Sequence, residues 1–231
     1  MALMESWYPA ASAQPWDRVG LIVGDPFAPV RSILLALDPT AAIAEQAVAG
    51  PDGDGVSYDM VITHHPLLLR GASFLPVTHP KGSVVTTLIR SGIALFNAHT
   101  NADVACDGVA TALADLIGLR YTAPLEPCGA DAEGHDIGLG RVGTVDATTL
   151  GAFADHVASV LPAGPSGLFV GGDENATVQR VAVLGGAGDS ALEAARAAGV
   201  DVYLTADLRH HPASEHLEGG APALLCGSHW A

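Results

Sequence analysis

Histidine and aspartate side chains follow the apolar runs of this sequence, where they could bind a metal ion. One run ends in the adjacent His64 and His65, and the next is followed by His99 and Asp103. Neutral imidazole and carboxylate groups bind Zn, Fe, Mn, Ni or Co. Adjacent residues of an extended strand point to opposite sides. We therefore expect His64 and His65 to serve two ions, or one ion and one supporting hydrogen bond.

The same pattern recurs in the C-terminal part of the sequence. Asp207, His210 and His211 follow one apolar run, and His229 follows another. Because ligands bind beyond the carboxyl ends of strands in open α/β sheets, four such exits together favour a metal site over coincidence. Each residue also has an alternative role without a metal. A single histidine can form loop hydrogen bonds, Asp103 can cap a helix or occupy a turn, and His210 and His211 can form the polar start of a helix.

Alternating strands and helices must position these residues. We predict an α/β fold with mostly parallel sheets flanked by helices, in two intertwined halves. The boundary is expected at 125–140, where turn-forming residues are frequent, and no internal repeat is evident. The predicted strands are 19–23, 32–37, 59–63, 93–98, 168–172, 180–186, 201–206 and 223–226, and the predicted helices are 39–49, 82–91, 107–117, 147–161, 189–198 and 212–218. The halves are 1–125 and 126–200, and 201–231 is a return segment that completes the metal site.

The charge balance of the chain excludes some classes of partner. There are 25 Asp and Glu against ten Lys and Arg, a formal net charge of −15, which argues against nucleic acid or an anionic membrane as partner. We find no secretory signal and no apolar run of about 18 residues. Cys106, Cys128 and Cys226 are widely spaced and fit free thiols in a reducing compartment. We therefore expect a cytoplasmic protein.

Several longer motifs carry a resemblance to a known family. They are PWDRVGLIVGDP at 15–26, VITHHPLLL at 61–69, GIALFNAHTNADVACDGVATALADLIGL at 92–119, DVYLTADLRHHPASEHLEGG at 201–220 and the terminal CGSHWA. Together with shorter matches they cover nearly the whole chain. The sequence resembles the dinuclear-metal-centre hexameric protein family, also called NGG-interacting-factor-three-like, whose bacterial members are often labelled GTP cyclohydrolase 1 type 2.

The resemblance implies a ligand set and an assembly. His64, His65, Asp103 and His229 would bind one or two divalent ions per subunit, among Zn, Fe, Mn, Ni and Co. A bridging Glu is implied a few residues after His229, beyond Ala231, so we interpret the sequence as apparently truncated there. A one-ion site, a water-bridged pair and an empty site are the alternatives. The implied fold is an α/β toroid of six subunits, a homo-hexamer whose metal sites face inward.

The function implied by the resemblance is that of a metal-dependent hydrolase of the GTP cyclohydrolase 1 type 2 kind, acting on a nucleotide or related heterocycle. A bound divalent ion lowers the pKa of a water molecule to about 7, and His99, Asp207, His210 or His211 could carry the proton. Two alternatives stay open. One is a non-catalytic metal-binding or scaffold hexamer, and the other is a metal-dependent phosphoesterase or cyclic amide hydrolase.

A glycine-rich segment allows two interpretations. Gly185, Gly186 and Gly188 lie between a predicted strand and a predicted helix, so they are weak candidates for binding a substrate phosphate. A tight turn in which Asp189 or Ser190 caps the helix is the favoured interpretation.

The tryptophan–aspartate pair at 16–17 and two of the cysteines are further candidates for a role at the metal site. By resemblance, Trp16 could pack a ring beneath the metal site with Asp17 supporting it, whereas physics alone favours a buried tryptophan beside a turn. Cys106 and Cys226 lie near Asp103 and His229 in sequence. Their thiolates could bind metal, but a role as small buried apolar groups is favoured.

Overall fold

The structure, a computed structural model, describes residues 1–53, 55–220 and 222–229. They divide into two compact units, 1–102 and 103–231. The helices are α1 (Ala2–Trp7), α2 (Ala41–Ala49), α3 (Pro80–Arg90), α4 (Thr100–Val104), α5 (Val109–Leu116), α6 (Leu150–Val160), α7 (Leu192–Ala197) and α8 (His210–Glu218). The strands are β1 (Gly20–Val23), β2 (Ile33–Ala36), β3 (Met60–Thr63), β4 (Ala94–Asn97), β5 (Arg120–Ala130), β6 (Asp136–Thr149), β7 (Phe169–Gly171), β8 (Thr177–Ala187), β9 (Val202–Ala206) and β10 (Ala223–Gly227).

The first unit is built on a four-stranded sheet of order β1-β4-β3-β2. Strands β2, β3 and β4 are parallel, and β1 is antiparallel to β4. Alternation along the strands gives the sheet two apolar faces. One face buries Val61 and Leu95 with Leu88 of α3, and the other buries Phe96 beside Met4 of α1. The carboxyl ends of the three parallel strands therefore lie at one sheet edge.

The second unit contains a six-stranded sheet of order β5-β6-β8-β9-β10-β7. Helices cover both faces: Phe153 of α6 packs in one core cluster, and Ala195 of α7 packs in the other. The α/β class with two sheets flanked by helices is confirmed. The expectation of mostly parallel pairing is wrong for this sheet, where β8-β9-β10 are parallel but the other three pairs are antiparallel.

The segment 125–140, expected to be an irregular boundary, is part of a long β5–β6 hairpin. Its glycines predict turns, but some are needed for close strand packing: a Cβ on Gly138 would lie 2.2 Å from the Glu126 carbonyl oxygen. The Asp131 carboxylate closes the hairpin turn by accepting hydrogen bonds from the backbone N–H groups of Glu133 (3.0 Å) and His135 (2.8 Å). Residues 126–200 and 201–231 both lie in the second unit.

Helix boundaries shift by a few residues from the predicted ones. α6 begins at Leu150 rather than 147, because β6 continues to Thr149, whose hydroxyl accepts the Ala152 N–H as the N-cap. The predicted helix 189–198 begins as a 3₁₀ turn, and its α-helical part is only 192–197. Within the described residues the longest helices have 11 residues, about half the length needed to cross a bilayer.

Candidate metal centre

Three imidazole rings cluster in the first unit. The ring centroids of His64 and His65 are 5.2 Å apart, and that of His99 lies 5.2 Å from His64 and 5.9 Å from His65. His64 and His65 follow β3, and His99 follows β4, so the neighbouring carboxyl ends of parallel strands bring them together. His99, expected to be a proton carrier, therefore lies beside the two expected ligands.

The bend after β3 explains how adjacent histidines can lie side by side. β3 ends at Thr63, and the Thr63 hydroxyl donates to the His65 carbonyl at 2.9 Å. The buried Asn97 amide donates to the His64 carbonyl at 2.6 Å. The two rings are tilted by 50°. The expectation that they point to opposite sides is wrong, because the backbone is no longer extended at these two residues.

Each ring of the cluster has an oxygen acceptor at Nδ1. The distances are 3.0 Å from His64 to the Ala98 carbonyl, 2.7 Å from His65 to the Asp38 carboxylate, and 3.0 Å from His99 to the Asp17 carboxylate. A neutral imidazole that donates from Nδ1 carries its lone pair on Nε2. Metal-binding histidines are commonly oriented in this way. The donor set therefore fits Zn, Fe, Mn, Ni or Co.

Asp17 is a buried carboxylate with several donors around it. It is 5% exposed, and besides His99 it accepts hydrogen bonds from the Thr100 hydroxyl (2.7 Å) and the Thr100 N–H (3.1 Å). Burial alone would raise the pKa of Asp17, but hydrogen bonds from Thr100, His99 and the Arg18 N–H outweigh it and lower the pKa. Asp17 is therefore ionised at neutral pH.

Trp16 lies at the rim of the cluster. Its ring meets His99 edge-on at 6.0 Å between centroids. Since Trp16 is 56% exposed, the expectation of a buried tryptophan is wrong, and its packing beneath a metal site stays a prediction.

Asp38, the carboxylate partner of His65, is not among the site residues predicted from the sequence. A usable signal existed, because Asp38 follows β2, which pairs in parallel with β3. The rule that selects histidines at the carboxyl ends of strands also selects Asp38.

A histidine–aspartate pair also occurs in the second unit. His229 Nδ1 lies 2.5 Å from Asp207 Oδ2. Asp207 is one of two non-glycine residues with positive φ among the described residues, at 50°, a conformation that costs free energy and is often found at functional sites. Asp207, expected as a proton carrier, thus orients an expected ligand. Asp103 is in α4, and its role and that of His229 as ligands stay predictions.

The glycine-rich segment divides between two environments. Gly185 and Gly186 line a small cavity with Ser228 and His229. Gly188 is packed instead against β9, since a Cβ on it would lie 2.0 Å from Thr205 Oγ1. Substrate binding at these glycines stays a prediction.

Other expectations for the second unit have clear outcomes. Asp189 does not cap the helix: its carboxylate accepts from the Arg209 N–H at 3.2 Å and pairs with the Arg209 guanidinium, and Ser190 makes no cap hydrogen bond either. His210 and His211 are exposed, contact each other at 5.2 Å between ring centroids, and begin α8, which confirms the interpretation as a polar helix start. Trp230 and Ala231 of the terminal motif lie outside the described residues.

Comparison with known proteins places this fold and sequence among named relatives. The model of the DUF34/NIF3 family (NGG1p interacting factor 3) matches residues 1–231. A Streptomyces coelicolor protein named GTP cyclohydrolase 1 type 2 homolog is 46% identical over 229 residues, which cover 99% of this chain and 78% of that protein. A Mycobacterium leprae protein of the same name is 32% identical over 333 positions, covering 99% and 84%.

Solved structures agree with this result. A Bacillus cereus protein related to NIF3 superimposes with a TM-score of 0.88 at 25% identity, covering 99% of this chain and 86% of that one. The Staphylococcus aureus protein SA1388 gives a TM-score of 0.85 at 28% identity, covering 99% and 84%.

Proposed function

This chain belongs to the DUF34/NIF3 family, and from that premise we propose that it is a divalent-metal-dependent hydrolase of the GTP cyclohydrolase 1 type 2 kind, acting on a nucleotide or related heterocycle. The observation that carries the proposal is the cluster of His64, His65 and His99, whose rings lie within 6 Å of one another. The name shared by the relatives supplies the substrate class.

His64 and His65 are the proposed metal ligands of the first unit. The Ala98 carbonyl and the Asp38 carboxylate fix the orientation of their rings. The resemblance adds Asp103 and His229 to the ligands. A bound divalent ion supplies a water molecule whose pKa is lowered to about 7, which provides hydroxide at neutral pH.

His99 is the proposed proton carrier. Its Nδ1 donates to the Asp17 carboxylate, which leaves Nε2 as the basic atom. A carboxylate in this place orients the imidazole and stabilises the imidazolium that forms when the proton is accepted. Of the other candidates, Asp207 is engaged with His229 and the ring pair at 210–211 is exposed on α8. Of the four candidates, His99 is therefore the one that both lies beside the proposed ligands and has a carboxylate to orient its ring.

The proposed assembly is the homo-hexamer implied by the resemblance. Its test is the mass of the purified protein in solution, measured by light scattering, with six subunits as the expected result. A stable monomer or dimer would contradict it.

Turnover by metal-reconstituted protein tests the hydrolase. Metal-free protein is loaded with Zn²⁺, Mn²⁺, Fe²⁺ or Co²⁺ and incubated with GTP and a nucleotide panel. We expect formate release from GTP that requires the ion. His65→Gln should lose both bound metal and activity, while His99→Gln should keep the metal and lower kcat about 10²–10⁴-fold. His79→Gln is the matched control, because His79 is an exposed histidine that caps α3.

The other outcomes contradict the proposal in different ways. Release of phosphate without formate would favour the phosphoesterase alternative. Stoichiometric metal binding without turnover of any nucleotide would favour the non-catalytic metal-binding assembly. A His99→Gln variant with unchanged kcat would remove His99 as the proton carrier and leave the metal site standing.

A further inference from the structure

A second group of metal-binding side chain types lies in the second unit. Cys106 is in the connection between α4 and α5, and Asp131 and His135 are in the turn between β5 and β6. One ligand atom from each of the three lies within 4.8 Å of the other two. We propose that Cys106, Asp131 and His135 form a separate site for a divalent transition-metal ion of the zinc class.

The spacing of the ligand atoms is close to that of a bound ion. Zinc lies about 2.0–2.3 Å from N, O and S ligands, so the ligand atoms of a tetrahedral site are about 3.3–3.8 Å apart. His135 Nδ1 and Asp131 Oδ2 are 3.1 Å apart as a hydrogen-bonded pair, and His135 would have to release that proton to bind the ion through Nδ1. The other separations have to close by at most about 1.5 Å, which a side-chain rotation can supply.

The backbone around the three ligands is held in place. Asp131 Oδ1 accepts from the His135 N–H at 2.8 Å, which fixes the hairpin turn while Oδ2 faces the ring. On the other side, the buried Arg141 guanidinium donates to the carbonyls of Ala105 (2.7 Å) and Cys106 (3.2 Å). Ordered backbone on both sides reduces the entropy that an ion must overcome to bind.

The charges of the ligands suit a divalent ion. A Cys106 thiolate and the Asp131 carboxylate together balance the two positive charges of such an ion. A set of one sulfur, one imidazole nitrogen and one carboxylate is typical of zinc or cobalt and unlike the oxygen-only sites of Ca²⁺ and Mg²⁺. An ion here would fasten the hairpin turn to the α4–α5 connection.

Cobalt tests this site separately from the histidine cluster. The proposed hydrolase site has no cysteine, so a thiolate-to-cobalt charge-transfer band in the near ultraviolet reports only a cysteine-containing site. We expect the full-length protein titrated with Co²⁺ to develop this band, and Cys106→Ser to lose it. Cys128→Ser and Cys226→Ser are the matched controls and should keep it.

A second variant guards against misfolding of Cys106→Ser. His135 is exposed, so His135→Gln should fold normally, as judged by circular dichroism, and bind Co²⁺ at the thiolate site at least about 10-fold more weakly. Glu133→Gln, in the same turn, should bind normally. A band that survives in Cys106→Ser would overturn the proposal. So would cobalt bound by the wild type without a band, a result that leaves the histidine cluster supported.

Discussion

The two units share one four-stranded arrangement. In the first, β2, β3 and β4 are parallel in chain order, and the preceding strand β1 pairs antiparallel with β4. In the second, β8, β9 and β10 are parallel in chain order, and the preceding strand β7 pairs antiparallel with β10. The register agrees as well: the rows are Ile33–Met60–Ala94 and Val181–Val202–Ala223.

An aspartate occupies the equivalent position in each of the two arrangements. Asp59 precedes β3 and accepts from the two backbone N–H groups of 31–32 at 2.7 and 2.8 Å. Asp201 precedes β9 and accepts from those of 179–180 at 2.8 and 2.7 Å. The carbonyl of each aspartate accepts from the first residue of the next strand, at 2.9 and 3.0 Å. The entry into the parallel strands is therefore built in the same way twice.

The strand exits are where the two units differ. The first unit gathers three imidazoles, two of them supported by carboxylates, whereas β9 and β10 of the second are followed by one pair, Asp207 and His229. The same scaffold thus carries different side chains at its carboxyl edge. Function in such folds depends on residues placed at these ends rather than on the strands themselves.

The largest effect is expected from breaking the shared scaffold in each unit. Leu95 and Leu224 are the second residues of β4 and β10 and are 1% and 3% exposed. Leu95→Ala and Leu224→Ala should each lower the free energy of unfolding by about 2–5 kcal/mol, because each leaves a cavity in a packed core. Urea unfolding followed by circular dichroism measures this loss.

The control for these two variants is Leu35→Ala, since Leu35 is 74% exposed on β2 and should change the free energy of unfolding by less than about 0.5 kcal/mol. If only one of the two substitutions at buried leucines lowered the free energy of unfolding strongly, the two positions would share strand register without being equally well packed.

A smaller effect is expected from changing the carboxylates that orient the rings. Asp38→Asn should weaken Zn²⁺ or Co²⁺ binding about 10–100-fold, because the Nδ1 partner of His65 loses its charge. Competition with a chromophoric chelator measures the affinity. Asp25→Asn, an exposed aspartate in the same unit, should bind as the wild type does.

The equivalent change in the second unit sharpens the comparison. If His229 binds metal as the resemblance implies, Asp207→Asn should weaken binding by a similar factor. An unchanged affinity in Asp207→Asn, together with a weakened one in Asp38→Asn, would remove His229 from the ligands of this site and leave those of the first unit.

Much of this molecule follows from local sequence patterns, and the remainder depends on contacts that leave no such pattern. Apolar runs locate β3 and β4 to within a residue or two, and the residues after them are His64 and His65 in one case and His99 in the other. The ring positions after β3 depend on a bend closed by the Thr63 hydroxyl and the Asn97 amide, which no spacing rule predicts.

The β5–β6 hairpin and the four-stranded arrangement that the two units share cannot be predicted from the sequence, for different reasons. Glycines in 125–140 look like turn formers, although close strand pairing requires Gly138. The repeated arrangement is invisible because hydrogen-bonded register, rather than residue identity, is what the two units share. An aspartate before an apolar run, as at 59 and 201, is too common a pattern to indicate it.

The smallest effect is expected from replacing the aspartate that precedes the middle parallel strand of each unit, beginning with Asp59 of the first unit. Hydrogen bonds from the Arg31 and Ser32 N–H groups lower the pKa of Asp59 from its ordinary value of 3.8. Because the folded pKa is the lower one, the stabilisation is present above pH 4 or so and is lost as the pH falls through the folded pKa. Asp59→Asn should lower Tm by a few degrees at pH 7 and flatten the dependence of Tm on pH below about 4.

The partner variant decides whether the two aspartates act alike. Asp201→Asn removes the same charge from the same two kinds of donor, so thermal unfolding should show a similar drop in Tm at pH 7. Asp52→Asn, in an exposed turn, should change Tm little. If Asp59→Asn left Tm unchanged while Asp201→Asn lowered it, only the second unit would depend on this contact, although the hydrogen-bond lengths are nearly equal.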